Sequence, residues 1–167
     1  MPVPSAGNKA GKTPALKAIL LLLFVDVSVK RIFEEGKGFP WPRPPNCPRC
    51  HGRIWGHGFV EAFFDGFPKA LLLRRYRCAD CGLTLRLRPK GYWPRFQASI
   101  QAIRDSLSHR LSFFRWPPMV SRQRGGHWLR SLIRQVRWYL GVSWEGGLLR
   151  AFEKLCRQGV IPASRSD

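Results

Sequence analysis

Two Cys-x-x-Cys hooks, Cys47-Pro-Arg-Cys50 and Cys78-Ala-Asp-Cys81, stand 27 residues apart in this chain. Each hook bends the backbone into a knuckle that offers two sulfurs, and four thiolates at this spacing read as one tetrahedral zinc site. The residues between the hooks must then carry the second back to the first. Ile54 to Phe64 and Lys69 to Arg77 are rich in β-branched, aromatic and leucine residues, and Asp65-Gly66-Phe67-Pro68 separates them. An Asp-Gly between apolar runs signals a hairpin. After the second hook, Leu83, Leu85 and Leu87 alternate with Thr84, Arg86 and Arg88, the pattern of a half-buried strand. The expectation is a zinc ribbon, a three-stranded antiparallel sheet beneath one structural Zn2+ held by Cys47, Cys50, Cys78 and Cys81. Phe59, Phe63 and Phe64 are its core candidates.

Other cysteine chemistries match less well. Two short-spaced pairs with a fifth thiol, Cys156, suit a reducing compartment better than a disulfide framework. A redox Cys-x-x-Cys needs only one pair. Cys47-Pro-Arg-Cys50-His51 meets the pattern of covalent haem attachment, yet haem would leave Cys78 and Cys81 without a role. His51 and His57 neighbour a complete ligand set and are expected to support it or to lie on the surface.

Charge points to the partner. There are 29 Lys and Arg against 10 Asp and Glu, a formal +19, which four thiolates and a zinc dication would lower to about +17. Such an excess favours a polyanion. Residues 1–45 hold seven basic and three acidic residues, residues 46–95 ten and three, and residues 96–167 twelve and four, so the excess lies in the latter two thirds. Arginine predominates there, which suits bidentate contact with phosphate or guanine. Because Zn2+ with four thiolates has a formal charge of −2, Arg49, Arg74, Arg75 and Arg77 beside the hooks have two readings, compensation of the cluster and nucleic-acid contact. No membrane partner is expected, since no long basic amphipathic helix with an anchor stands alone.

Residues 1–13 read as a disordered tail, 14–45 as a strand or helix with a Pro-rich linker, 46–92 as the ribbon and 93–167 as a basic helical domain. Ala18 to Val25 is the most apolar stretch, but eight residues cannot cross a bilayer as a helix. Lysines at 9, 12 and 17 imitate a signal peptide, whereas Asp26 to Arg31 offers no small-x-small cleavage site. The segment is expected as a buried strand or helix. A short helix should run from a Ser28 cap to Gly36, and Gly38 to Pro45 should form a stiff extended spacer.

Beyond the ribbon the apolar period becomes helical. Phe96, Ile100, Ile103, Leu107, Leu111 and Phe114 form one stripe, ended by Trp116-Pro-Pro118. Leu129, Leu132, Ile133, Val136 and Leu140 form a second, with Arg130, Arg134 and Arg137 on its other face. A third helix should run from Leu148 to Arg157. Two helices about a basic turn, Ser121 to Gly126, suggest a helix-turn-helix, although the turn is longer and looser than that motif requires. From Arg104 to Arg137 there are eight arginines and one acidic residue, Asp105, where a merely solvated surface would mix signs. The expected nucleic-acid contacts are Arg86, Arg88, Lys90, Arg95, Arg122, Arg124, Arg130, Arg134 and Arg137. Most of the tryptophans at 93, 116, 128, 138 and 144 are expected to join helices to the sheet.

Cys47 to Cys50, the Trp-Gly-His-Gly run Trp55 to Gly58, and Arg74 to Gly82 with its following strand resemble the zinc ribbon of bacterial insertion-sequence transposases and of related transposase-like proteins of unknown function. The resemblance covers about residues 15 to 115, and its specific part is the ribbon. His51 departs from it, standing where the first knuckle more often has glycine. The resemblance implies that ribbon and following helices engage DNA ahead of a catalytic domain. A transposase domain of the RNase H type needs three carboxylates on two metal ions. From Pro89 onward 79 residues remain, with only Asp105, Glu145, Glu153 and Asp167 acidic.

The expectation is therefore a small α+β, non-catalytic, zinc-binding protein of the cytoplasm and nucleoid. It would bind nucleic acid, foremost double-stranded DNA, beside a separate transposase or recombinase subunit. The alternative is a zinc-ribbon adaptor on RNA or on a transcription or translation complex.

Overall fold

The structure is a computed structural model that describes residues 20–164. The expected tail at residues 1–13 and the beginning of the apolar segment lie outside them. Among the described residues the fold is a small α+β arrangement of four strands and four helices: β1 (Leu20–Val25), α1 (Val29–Glu35), β2 (Ile54–Ala62), β3 (Leu71–Cys78), β4 (Thr84–Pro89), α2 (Ile100–Phe113), α3 (Arg122–Tyr139) and α4 (Leu148–Arg157).

β2, β3 and β4 are antiparallel neighbours, the hairpin turning through Gly66 at φ 86°. The sheet nonetheless has four strands where three were expected, and it is mixed. β1 lies parallel to β4, Leu20 opposite Thr84 and Val25 opposite Pro89, in the order β1-β4-β3-β2. A three-stranded ribbon would leave the outer edge of β4 with unpaired backbone groups. The apolar segment covers that edge. As an edge strand it is only partly buried: Leu23 and Val25 face the core, while Leu20, Leu21 and Phe24 remain exposed.

α1 starts where the Ser28 hydroxyl accepts the Arg31 N–H at 3.4 Å, and it ends at Gly36 with φ 56°. It packs Ile32 against β3. The Pro-rich segment is no spacer. Phe39 and Trp41 are buried edge to face, 5.1 Å between ring centroids, and Arg43 donates to the Ile54 carbonyl at 2.7 Å. Prolines hold this stretch extended while the aromatics between them fill the sheet's core. Phe64 and Phe59 join that core, but β2 ends at Ala62 and Phe63 points to solvent.

A second core joins the helices through Ile103, Leu107, Trp128, Leu132, Phe152 and Leu155. α2 is capped by the Ser99 hydroxyl, which accepts from Ala102 N–H at 3.0 Å, so Phe96 precedes it. It stops at Phe114, which takes φ 56° and donates to the Arg110 carbonyl, before the Trp-Pro-Pro that was expected to end it. The stretch expected as a turn, Ser121 to Gly126, is instead the beginning of α3. Ser121 is its N-cap, accepting the Arg124 N–H at 3.2 Å. Gly125 lies against the Trp116 ring, where a Cβ would come within 2.5 Å of the indole. Close packing overrides the turn preference of Gly-Gly. The α2–α3 connection is Phe114–Ser121, longer than the three or four residues usual in a helix-turn-helix.

The two cores meet at the β2–β3 turn. Asp65 N–H donates to the Gln97 carbonyl at 3.0 Å, the Asp65 carboxylate pairs with Arg124 at 2.7 Å, and Ile100 N–H donates to the Gly91 carbonyl at 2.8 Å. Trp93, Trp116, Trp128 and Trp144 pack into the helical core, whereas Trp138 is 81% exposed. No helix among the described residues is long and apolar enough to cross a membrane.

Candidate metal centre and basic surface

The pairing of Ile54 with Cys78 sets the second hook beside the residues that leave the first. Cys47 N–H donates to the Gly52 carbonyl and His51 N–H to the Cys47 carbonyl, both at 2.9 Å, which closes the first knuckle. His51 takes φ 59°, the left-handed geometry that a glycine would adopt with less strain. In the second knuckle Gly82 holds the matching place at φ 70°, and Cys78 N–H donates to the Leu83 carbonyl at 2.9 Å. Ala79 N–H reaches the Arg53 carbonyl at 3.3 Å and ties one knuckle to the other.

Four sulfurs converge. Cys47 and Cys81 are 3.6 Å apart, Cys50 and Cys78 3.4 Å, and all four ligand atoms lie within 4.8 Å of one another. Sulfurs at tetrahedral corners about 2.3 Å from a metal would be separated by about 3.8 Å, so the group can hold a metal ion. None is in a disulfide. Cys47 and Cys78 are buried, Cys81 is half-buried and Cys50 is exposed.

The thiols differ in acidity. Burial opposes ionisation of Cys47, but hydrogen bonds from the backbone at Cys50 and Arg49 and from the thiols of Cys81 and Cys50 bring it down to about 7. For Cys50 the backbone at Gly52 favours the thiolate. The neighbouring Cys78 and Cys81 sulfurs, with burial, outweigh it and push Cys50 up to about 12. Sulfurs this close cannot all be anionic without a cation among them. His51 and His57 are exposed and stand outside the cluster, and Cys156 belongs to the helical core, where burial raises its pKa.

The nine expected nucleic-acid residues are divided by the fold. Arg88 is buried, and its guanidinium donates to the carbonyls of Tyr92 at 3.1 Å and Phe96 at 2.7 Å while lying over the Phe64 ring. It joins the sheet to the helical segment, so its expected surface role is corrected. Arg124 is tied to Asp65 and lies over Trp128. Arg95, exposed at φ 66°, lines an open cleft with Arg124, His127 and Ser164. Arg122 stands elsewhere, beside Arg110, Arg115 and Trp116. Lys90 is exposed and Arg86 half-buried on β4.

Only Arg130, Arg134 and Arg137 form a row. All three are exposed, on the side of α3 opposite Trp128, Leu132 and Val136, and no carboxylate pairs with them among the described residues. Trp138, one turn beyond Arg134, extends the row. Of the arginines near the hooks, Arg74 is held between the rings of Phe59 and Tyr76, 4.8 and 5.5 Å from their centroids. A relationship invisible without the register is that of Arg75 and Arg86, directly opposite across β3 and β4. Comparison with protein-family models, with curated proteins and with solved structures gives no match.

Proposed function

We propose that this chain is a non-catalytic nucleic-acid-binding protein in which one structural zinc holds the sheet and α3 contacts duplex DNA. The observation that carries this reading is the row Arg130, Arg134 and Arg137, exposed and without acidic partners on the outer side of α3. A helix of this width fits a major groove, and guanidinium groups at three- and four-residue spacing suit successive phosphates or guanine edges. The net charge of +19 supports the same partner. In this reading α3 takes the part of a recognition helix, with α2 behind it.

Zinc is the metal we assign to the four cysteines, because four thiolates in a closed tetrahedral set suit structural Zn2+ and leave no open position for substrate. The acidic residues of the helical part support a non-catalytic role. Among the described residues Asp105, Glu145 and Glu153 are not gathered into a group that could hold a metal, the four cysteines being the group found there, and Glu153 is engaged by Arg104 at 2.7 Å. A relation to transposase DNA-binding regions is part of the proposal and rests on the hook residues and on Arg74 to Gly82. A separate transposase or recombinase subunit would then supply the chemistry.

The test is duplex binding by the zinc-loaded chain over a salt series. Affinity should fall steeply with salt, and selection from random DNA should return a motif. A folded, zinc-loaded protein that binds no duplex in moderate salt would overturn the proposal.

A further inference from the structure

The register of β3 and β4 puts Arg75 directly opposite Arg86, and Arg77 opposite Thr84 on the same face. Across β2, Trp55 stands opposite Arg77. Leu22 of β1 stands beside Arg86. Three arginines and an indole therefore share one sheet face. Cys78, one residue beyond Arg77, falls on the other face with Tyr76 by strand alternation. Arg75 and Arg86 thus point away from the side on which Cys78 leaves the strand, which argues against direct contact with its thiolate as their role.

Like charges opposite one another in a sheet are unfavourable. Here nothing offsets them. None of the ion pairs among the described residues includes Arg75, Arg77 or Arg86. The Nε atoms of both Arg75 and Arg86 are buried without a hydrogen-bond partner, although buried polar atoms are ordinarily satisfied. Burial, and then the charge of Arg86, lower the pKa of Arg88 farther along β4. Trp55, opposite Arg77 on the same face, is 55% exposed, an unusual place for the largest apolar side chain.

We propose that this face binds an unpaired nucleic-acid strand, one phosphate bridging the guanidinium groups of Arg75 and Arg86 and an adjoining base stacking on Trp55. Two guanidinium groups projecting from neighbouring positions of one sheet face can share the oxygens of one phosphate. A base inside a duplex is already stacked on its neighbours, so an exposed indole selects a base that is free of them. The inference rests on the reading of the chain as a nucleic-acid binder and gives it a second contact surface, distinct from α3.

Binding of a single-stranded oligothymidylate and of a blunt duplex should be measured in parallel, over a salt series, with the zinc-loaded full chain. Arg75→Gln and Arg86→Gln should each weaken oligothymidylate binding about tenfold and lower its salt slope by up to about 0.7, the value for one phosphate of a single strand. Trp55→Leu should weaken it at least about fivefold. Arg75→Lys, which keeps the charge and loses the fork, provides a second variant should the glutamine proteins not fold, and it should bind less tightly than wild type. Duplex binding through α3 should change little in all four. Unchanged oligothymidylate affinity and slope in folded variants would overturn the inference while leaving the duplex reading intact. Absence of duplex binding, with oligothymidylate binding still dependent on Arg75 and Arg86, would overturn the duplex reading alone.

Discussion

Arg88 reaches from the last strand of the sheet to the carbonyl of Phe96, donating at 2.7 Å, and with its second bond to Tyr92 it joins the two halves of the protein from inside. Its desolvated charge is held by two carbonyls and the face of Phe64, so truncation removes charge-assisted hydrogen bonds and strands both acceptors. Arg88→Ala should lower unfolding stability by about 3 kcal/mol in a denaturant titration. Arg86→Ala should not destabilise the protein, since it relieves the opposition with Arg75. Equal losses in the two variants would contradict the division of roles between these neighbours.

Metal removal should be more damaging than any single side-chain change outside the four cysteines. If the four cysteines hold zinc as proposed, metal binding would add directly to the folding of the small sheet that they close. One zinc per chain should be found by metal assay, and chelation should abolish the sheet signal in circular dichroism while part of the helical signal persists. Cys47→Ser and Cys78→Ser should reproduce the chelated state. Zinc affinity should weaken toward acid pH, because each thiol must release its proton to bind.

The row on α3 makes a numerical prediction. If Arg130, Arg134 and Arg137 each neutralise one phosphate, replacing all three by Gln should reduce the salt slope of duplex binding by about 2.7, at roughly 0.9 per contact. The side chains are exposed, so thermal stability should stay within about 0.5 kcal/mol of wild type. A slope that does not move would remove α3 from the interface.

Adjacent glycines at the start of α3 should respond with opposite signs. Gly126→Ala meets only the mobile end of Arg130, at 3.2 Å, and should stabilise the protein by up to about 1 kcal/mol through helix propensity. Gly125→Ala would drive a methyl into the Trp116 ring and should destabilise it despite the same gain in propensity. Thermal melts of the two variants decide the matter.

The acid limb of stability should include the Arg104–Glu153 pair between α2 and α4. The hydrogen bond and then the charge of Arg104 hold the Glu153 carboxyl below its ordinary value of 4.5. A carboxyl with a depressed folded-state pKa contributes stability above its unfolded value and loses it as pH falls through the folded one. Wild type should therefore lose stability below pH 4.5 in a way that Glu153→Gln does not, as melting curves at stepped pH would record. The pair is exposed, so the difference should be small.

Sequence reasoning succeeded where the signal was local. The hooks, the hairpin around Gly66, the cap at Ser28 and the helix from Leu148 to Arg157 are each set by residues close together in the chain, and each is where spacing put it. It failed where distant residues decide. β1 pairs with a strand some sixty positions later, and no local pattern reveals a parallel partner. The alternation Arg86-Leu87-Arg88 correctly put both arginines on one side of β4. It gave no sign that Tyr92 and Phe96 would take up one of them while the other stayed opposite Arg75. Gly125-Gly126 reads as a turn until Trp116 is known to lie against it.

The strand and strap that precede the hooks determine how far the metal unit can be cut from its chain. A fragment beginning at Asn46 would retain every sulfur, yet it would lose β1 from the edge of β4 and both Phe39 and Trp41 from the core. Such a fragment would bind zinc with a bare strand open to another copy of itself, and self-association is its expected fate. The hook-bearing strands are consequently no interchangeable cassette. Any transplant to another protein would have to start near Leu20, carrying its own cover with it.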